Sequence, residues 1–110
     1  MATIEEFQRI DIRVGTVIGA EPFPEARKPS IKLMIDFGPE VGIKSSSAQL
    51  TVHYTPAQLL GRQVVAVVNF AERRIAGFAS EVLVLGAMPD SLEVVLLNPE
   101  ARVPDGTRIG

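Results

Sequence analysis

The chain has 110 residues, 46% apolar and 22% charged, a composition that excludes a disordered chain and fits a single domain over residues 1–110. It has no cysteine and one histidine, His53, which excludes disulfides, a thiolate nucleophile and an ordinary zinc site. The net charge is −2, but basic and acidic residues are unevenly distributed along the chain. Residues 27–74 hold seven basic and three acidic side chains, and the rest hold four basic and ten acidic ones.

The first predicted elements are a short helix and a long strand. Residues 3–6 match a capping box, which predicts a helical turn before Phe7. From residue 10 the period changes to two and predicts a strand whose one face carries Ile10, Ile12, Val14, Thr16 and Ile18. Gly15 and Gly19 within that strand favour a bend or a bulge, as barrel strands have.

A loop bracketed by prolines follows at residues 21–29, and it carries Arg27 and Lys28. The second strand alternates, which predicts Ile31, Leu33, Ile35 and Phe37 inward and Lys32, Met34 and Asp36 outward. A tight turn at residues 38–40 leads to a third strand over residues 41–50, whose serine-rich centre looks too polar for a core.

Residues 55–61 give the clearest helix prediction, with a threonine N-cap, proline at the first helical position and glycine as the stop. Strands over residues 63–69 and 82–85 are apolar on both faces, so both are expected to be buried. Residues 70–80 between them are predicted to form a loop. A further short strand is predicted at residues 94–97.

This order of elements defines an expected fold. Three strands, a short helix, two strands and a further C-terminal strand make an all-β, five-stranded OB-fold Greek-key barrel, with the helix between strands 3 and 4. The apolar content exceeds what one small core can cover, so we expect a homodimer. An OB barrel presents strands two and three, with the surrounding loops, to its ligand.

Catalysis finds little support in the sequence. No glycine-rich phosphate loop is present, and the nine glycines are scattered. A pair of one serine from residues 45–47 with His53 is left open, but no nucleophile-elbow pattern surrounds these serines. We therefore predict a binding protein with no catalytic residues, cofactor or metal.

Basic side chains lie where the ligand face of the barrel should be. Lys32 and Lys44 are on strands two and three, and Arg73 and Arg74 precede strand five, where they could contact phosphates. Ordinary solvated strand faces are the alternative interpretation of these charges. Aromatic side chains for base stacking are few, with Phe78 the main candidate, so a structured RNA fits better than an exposed single strand.

The sequence also predicts where the protein acts. Its start carries acidic residues where a signal peptide has basic ones, and its longest apolar run, residues 64–68, is far below the ~20 residues of a membrane span. We expect a cytoplasmic protein without membrane insertion.

Three stretches resemble the tRNA-binding domain family, which includes the C-terminal domain of bacterial methionyl-tRNA synthetases and stand-alone tRNA-binding proteins. They are residues 11–17 (DIRVGTV), 32–38 (KLMIDFG) and 54–70 (YTPAQLLGRQVVAVVNF). Further stretches resemble a branch of that family, the small protein-secretion chaperones. They are residues 23–27 (FPEAR), 73–78 (RRIAGF) and 80–86 (SEVLVLG). The resemblance runs from about residue 7 to residue 109.

The resemblance implies an OB-fold homodimer whose N- and C-terminal extensions form the interface. It also implies a chaperone that binds unfolded or pre-secretory proteins and assists their export, with tRNA as a second ligand. A stand-alone, structure-specific tRNA-binding protein without a chaperone role is the alternative.

Site residues follow from the same resemblance by position. The residues expected to face RNA are Lys32, Lys44, Asn69, Arg73, Arg74 and Ser80. The candidates for contact with a peptide, Phe23, Ile75 and Phe78, are chosen for their apolar side chains and not from the resemblance. Relatives that bind tRNA have Gly-Met where this chain has Val82 and Leu83, a departure that argues against contact with the tRNA elbow.

Overall fold

The computed structural model describes residues 1–110, whose main element is a curled, five-stranded antiparallel sheet. The elements in chain order are α1 (Ile4–Gln8), β1 (Ile12–Pro22), β2 (Ile31–Asp36), α2 (Gly38–Val41), β3 (Ile43–Ala48), α3 (Pro56–Leu59), β4 (Gln63–Val67), β5 (Arg73–Ile75), β6 (Phe78–Ser80), β7 (Leu83–Val84), β8 (Gly86–Asp90) and β9 (Glu93–Leu96). The sheet has the order β3-β2-β1-β4-β7, and β5–β6 and β8–β9 are separate hairpins.

Two hydrogen bonds join β3 to the residues just before β7 and nearly close the sheet into a barrel. The Ser46 hydroxyl donates to the Val82 carbonyl at 2.8 Å, and the Glu81 N–H donates to the Ser45 carbonyl at 2.9 Å. With α3 between β3 and β4, the architecture is the predicted OB-type barrel.

The helix ends follow the capping residues. Thr3 and Glu6 form the predicted capping box, with the Glu6 N–H 3.2 Å from Thr3 Oγ1 and the Thr3 N–H 3.0 Å from Glu6 Oε1. At α3 the Thr55 N–H donates to Gln58 Oε1 at 2.9 Å. Gly61 follows with a φ of +84°, a conformation that glycine adopts without the steric cost of a Cβ, so the chain turns into β4.

The core is built where the strands alternate as predicted. On β2, Ile31, Leu33 and Ile35 are 1% exposed or less, and all five residues of β4 are buried. Both strands show the expected pattern, because β4 is covered on both faces whereas the outer face of β2 stays partly open. The strand over residues 82–85 was expected to be buried on both faces too, and this is wrong, since Leu83 on β7 is 46% exposed.

Strand β1 departs from simple alternation. Its register with β2 shifts between Val17 and Gly19, so Val17 is 1% exposed while Ile18 is 50% exposed. The bulge confirms the expectation drawn from Gly15 and Gly19, but it takes Ile18 away from the face that it was predicted to share with Val14. A bulge inserts one residue and reverses the faces that follow it.

The serine-rich centre of β3 is buried, contrary to expectation. Ser45 and Ser46 are 8% and 1% exposed. The Ser45 hydroxyl lies 2.7 Å from the Ala79 carbonyl and 2.9 Å from Glu81 Oε1, which share its one proton, and the Ser46 hydroxyl donates to the Val82 carbonyl. A hydroxyl with a hydrogen-bond partner can be buried at little cost.

The predicted loop over residues 70–80 is a β-hairpin. Strands β5 and β6 pair in register and are joined by Ala76 and Gly77, whose φ angles of 46° and 80° both lie in the left-handed region of a two-residue type I′ turn. Strand β8 was not predicted either, whereas β9 confirms the strand expected at residues 94–97.

The C-terminal segment packs on the barrel. Gly106 and Thr107 exchange backbone hydrogen bonds with Val14 at 2.7 and 2.9 Å, and the Gln63 amide donates to the Val103 carbonyl at 2.7 Å. The three helices have five residues or fewer, and none of them could span a membrane.

Candidate nucleic-acid interface

A groove of about 430 Å³ opens on one side of the barrel. Its walls come from the loop that joins β1 to β2, the end of β3, the β5–β6 hairpin and the segment from β7 to β9. Half of the fourteen lining residues are hydrophobic, and none is Asp or Glu, although the chain as a whole is acidic. A groove without acidic side chains does not repel an anionic ligand, and its apolar residues suit an uncharged part of the same ligand.

The free cations of the protein gather at this groove. Of the eleven basic side chains, seven make an ion pair or a hydrogen bond to another residue. The four that make neither are Arg9, Arg27, Lys28 and Arg73, and the last three line the groove. Unpaired charges of one sign in a concave surface add to a local positive potential that attracts anions.

The β5–β6 hairpin supplies one wall. Its register places Arg73 opposite Ser80 and Ile75 opposite Phe78, so these four side chains share one face of the hairpin and Arg74 lies on the other. The Ser80 hydroxyl accepts a hydrogen bond from the Ser47 N–H at 3.2 Å, which fixes this face against β3. The structure therefore brings together four of the nine predicted site residues on one face of this hairpin, and a fifth, Arg74, on its other face.

Phe23 and Lys32 join this group from the neighbouring loop and strand. The rings of Phe23 and Phe78 meet edge to face, with centroids 5.5 Å apart. The Lys32 ammonium lies 4.7 Å from the Phe23 centroid and 5.0 Å from that of Phe78, and 3.9 Å from a Glu21 oxygen. Cation–π attraction to both rings thus joins β2 to the hairpin.

Lys44 lies on a different side of the sheet. In the register of β2 with β3, Lys44 pairs with Ile35 while Lys32 pairs with Ser47, so the two lysines leave opposite faces. The expectation that both lysines share the ligand face is wrong, because one residue of offset along a strand reverses the direction of the side chain.

Lys44 contacts an acidic residue instead. Its ammonium lies 3.9 Å from Glu81 Oε2. Hydrogen bonds from the backbone N–H and the hydroxyl of Ser45 lower the pKa of the Glu81 carboxyl, and the Lys44 charge lowers it further. Glu81 is consequently ionised at neutral pH and offsets the charge of Lys44.

Two further predicted residues are engaged in local structure. The Asn69 amide accepts from the Asp11 N–H and donates to the Arg9 carbonyl, both at 2.9 Å, which ties the N-terminal segment to the end of β4. Arg74 lies 3.6 Å from Glu72 and donates to the Gly77 carbonyl at 3.0 Å. Contact of Asn69 and Arg74 with RNA stays a prediction.

Arg27 and Lys28 were not among the predicted site residues. The signal was present in the sequence, as two adjacent bases between prolines, but only the fold shows that this loop faces Arg73 across the groove. The serine–histidine pair is not assembled: His53 Nε2 lies 2.8 Å from Glu93 Oε1, and none of the serines at 45–47 hydrogen-bonds to it. No cluster of three metal-ligating side chains is present.

An OB-type barrel with an acid-free groove and unpaired cations defines a nucleic-acid-binding module. The chain belongs to the tRNA-binding domain family, because residues 12–108 match the family model described as "Putative tRNA binding domain".

Solved structures and curated proteins agree with this assignment. The crystal structure of chaperone CsaA from Bacillus anthracis str. Ames is 56% identical, with a TM-score of 0.96 over 100% of this chain and 99% of that one. The CsaA chaperone protein from Picrophilus torridus is 45% identical, with a TM-score of 0.91 over the whole of both chains. A methionine–tRNA ligase of Archaeoglobus fulgidus is 38% identical over 97% of this chain, which spans only 16% of that ligase.

Proposed function

We propose that this protein binds tRNA through the groove and the face of the β5–β6 hairpin beside it. The observation that carries the proposal is the placement of Arg27, Lys28 and Arg73, all unpaired, around an acid-free groove in a member of the tRNA-binding domain family. Phosphate contacts from Lys and Arg supply most of the affinity of such modules and position the nucleic acid.

Val82 and Leu83, which stand where relatives that bind tRNA have Gly-Met, affect the contact surface and leave no gap in the core. Val82 is 4% exposed and packs in the core cluster, while Leu83 is 46% exposed and lines the groove. We call the apolar residues Ile75, Leu83, Met88 and Val94 the floor of the groove and Arg27, Lys28 and Arg73 its rim. An aliphatic Leu83 supports a mode of tRNA contact in which the floor is apolar and the rim is cationic.

A titration of fluorescently labelled, unfractionated tRNA at two salt concentrations tests the proposal. Anisotropy should report binding that weakens steeply with salt, because each phosphate contact releases counterions and adds about 0.7 to 0.9 to the slope of log K against log salt. The absence of binding at low salt would contradict the proposal.

A second candidate function is favoured by the apolar half of the groove and by the two CsaA neighbours. We propose that the protein also binds unfolded or pre-secretory chains and assists their export, with Ile75 and Phe78 contacting apolar side chains. The predicted contact residue Phe23 is only 3% exposed, so its role is to support the Phe78 ring from the core side. Exposed aliphatic surface that includes methionine adapts to varied partners. Since tRNA and pre-secretory chains both occur in the cytoplasm, we place the function there.

Suppression of aggregation tests this second function. A chemically denatured client diluted into buffer should stay in solution in the presence of the protein, and Ile75→Asp should weaken the protection, since a charge would sit among apolar contacts. Leu60→Asp, at an exposed apolar residue outside the groove, serves as the matched control. Unchanged aggregation of the client in a molar excess of the wild-type protein would rule the function out.

We propose further that the protein is a homodimer held by its terminal extensions. Helix α1 buries none of its residues, and Ile4 and Phe7 are 63% and 39% exposed. Apolar side chains on a short helix are stabilised when a second copy covers them. Sedimentation equilibrium should give twice the chain mass, and Ile4→Asp with Phe7→Asp should shift the protein to monomer; a monomeric wild type at micromolar concentration would contradict the proposal.

A further inference from the structure

We propose that the groove holds one unpaired nucleotide of the bound RNA, with its backbone phosphates beside the cationic rim and its base on the apolar floor. This inference rests on the proposed tRNA binding and specifies which part of the RNA enters the protein. It replaces recognition by overall shape with insertion of a single base at one point.

The dimensions of the groove favour a single nucleotide. Its volume of about 430 Å³ lies within the range of small-molecule sites. A paired, stacked helix presents only its backbone and a shallow minor groove, so a base reaches such a concavity only when it is unpaired and turned outward.

Binding of a phosphate group would not explain the apolar residues of the floor. Ile75, Met88 and Val94 line it from β5, β8 and β9, and Met88 is 60% exposed to solvent. Exposed aliphatic side chains in a concave site gain free energy when the flat face of a base displaces water from them. The floor thus complements the base, as the rim complements the phosphates.

Polar groups that could recognise the edge of the base lie beside this floor. The Gln49 amide and the Ser47 hydroxyl both line the groove and make no intramolecular side-chain hydrogen bond, while the Ser47 N–H is already bonded to Ser80. An amide offers donors and an acceptor, and a hydroxyl offers both, which matches the mixed donors and acceptors of a base edge.

The rim favours a nucleotide over a peptide. Arg27, Lys28 and Arg73 present three positive charges with no acidic side chain among the lining residues. A polynucleotide brings one negative charge for every nucleotide, so consecutive phosphates can pair with all three cations. A peptide would have to place several carboxylates next to an aliphatic residue to do the same.

Competition experiments test the inference. Labelled tRNA bound to the wild-type protein is titrated with adenosine and cytidine 5′-monophosphates, with ribose 5-phosphate, and with an acidic, leucine-containing peptide. The monophosphates should displace tRNA at concentrations about tenfold below those of ribose 5-phosphate, because only they cover the apolar floor. Equal potency of ribose 5-phosphate, or displacement by the peptide without displacement by the nucleotides, would overturn the inference.

Variants of exposed residues separate the floor from the rim. Met88→Ser should raise about threefold to tenfold the concentration of monophosphate that displaces the labelled tRNA. It should leave unchanged the slope of log K against log salt for tRNA binding. Leu60→Ser is the control, because Leu60 is 52% exposed and lies outside the groove. Equal effects of the two substitutions would overturn the inference.

Binding of a nucleotide to the protein can also be measured without tRNA. Amide shifts of the labelled protein on addition of adenosine 5′-monophosphate should concentrate at Ser47, Gln49, Ile75 and Met88. If tRNA fails to bind, the proposed function fails while nucleotide binding is still measured. If tRNA binds and these amides do not move, the inference alone fails.

Discussion

The arginines at positions 73 and 74 show how neighbouring residues of one type take different roles. Arg74 is held by Glu72 and by the Gly77 carbonyl, whereas Arg73 makes no ion pair or side-chain hydrogen bond and lines the groove. The difference follows from strand geometry, since successive residues of β5 point to opposite faces. Neither the composition nor the adjacency of the two residues distinguishes them.

At Lys32 the ammonium is expected to join the hairpin to the barrel. Lys32→Met combined with Phe78→Leu in a double-mutant cycle should give a coupling free energy of about 0.5 to 1 kcal/mol, the range for cation–π pairs near a surface. Urea unfolding measures it. Lys28→Met, a residue without such contacts, should change stability little, and zero coupling between Lys32 and Phe78 would contradict the interpretation.

Glu81 is expected to make stability depend on acid pH. Hydrogen bonds from Ser45 lower its pKa in the folded protein, so the unfolded chain binds its proton more tightly. The stabilisation is therefore fully present above the unfolded pKa of about 4.3 and is lost as pH falls through the lower folded pKa.

Glu81→Gln removes this titration. Urea unfolding between neutral and strongly acidic pH should show the wild type more stable at neutral pH and the difference shrinking as the pH falls. Glu100→Gln, at an exposed residue without an ion pair, is the control. A stability difference that does not change with pH would show that the hydrogen bonds to Glu81 do not couple to folding.

The β5–β6 hairpin brings four of the predicted site residues together, but the sequence analysis predicted a loop there and not a hairpin. Its strands are three residues long, and its turn is Ala-Gly and not the Asn-Gly that marks such turns in a sequence. Strands β2 and β4 were predictable because burial of one or both faces imposes a long, regular pattern. The burial of Ser45 and the face of Lys44 depend on contacts between distant strands, which local patterns do not contain.

Substitutions in the hairpin turn should act in opposite directions. Gly77 has a φ of 80°, so Gly77→Ala should destabilise the hairpin by about 1 kcal/mol, while Ala76→Asn should stabilise it, since Asn tolerates the left-handed region. Amide exchange of β5 and β6 measures both changes. Exchange that is unaltered in both variants would show that the turn does not limit hairpin stability.

On the scale of the whole molecule, an acidic protein carries one positive groove. The excess of basic residues between positions 27 and 74 predicted a cationic region, and the fold concentrates its unpaired members at one site by bringing the β1–β2 loop beside β5. The remaining acidic residues then keep the net charge negative, which limits non-specific binding to nucleic acid elsewhere on the surface. The family, the barrel and the charge distribution thus agree on one binding face.

The most direct test of this account compares two charge-matched variants for tRNA binding by anisotropy over a range of salt concentrations. Arg73→Ala removes an unpaired cation from the groove, and Arg9→Ala removes an exposed, unpaired cation outside it. The account predicts weaker binding and a salt slope smaller by about 0.7 to 0.9 for Arg73→Ala, with little change for Arg9→Ala. Equal effects of the two variants, or none for Arg73→Ala, would contradict the assignment of the groove as the RNA site.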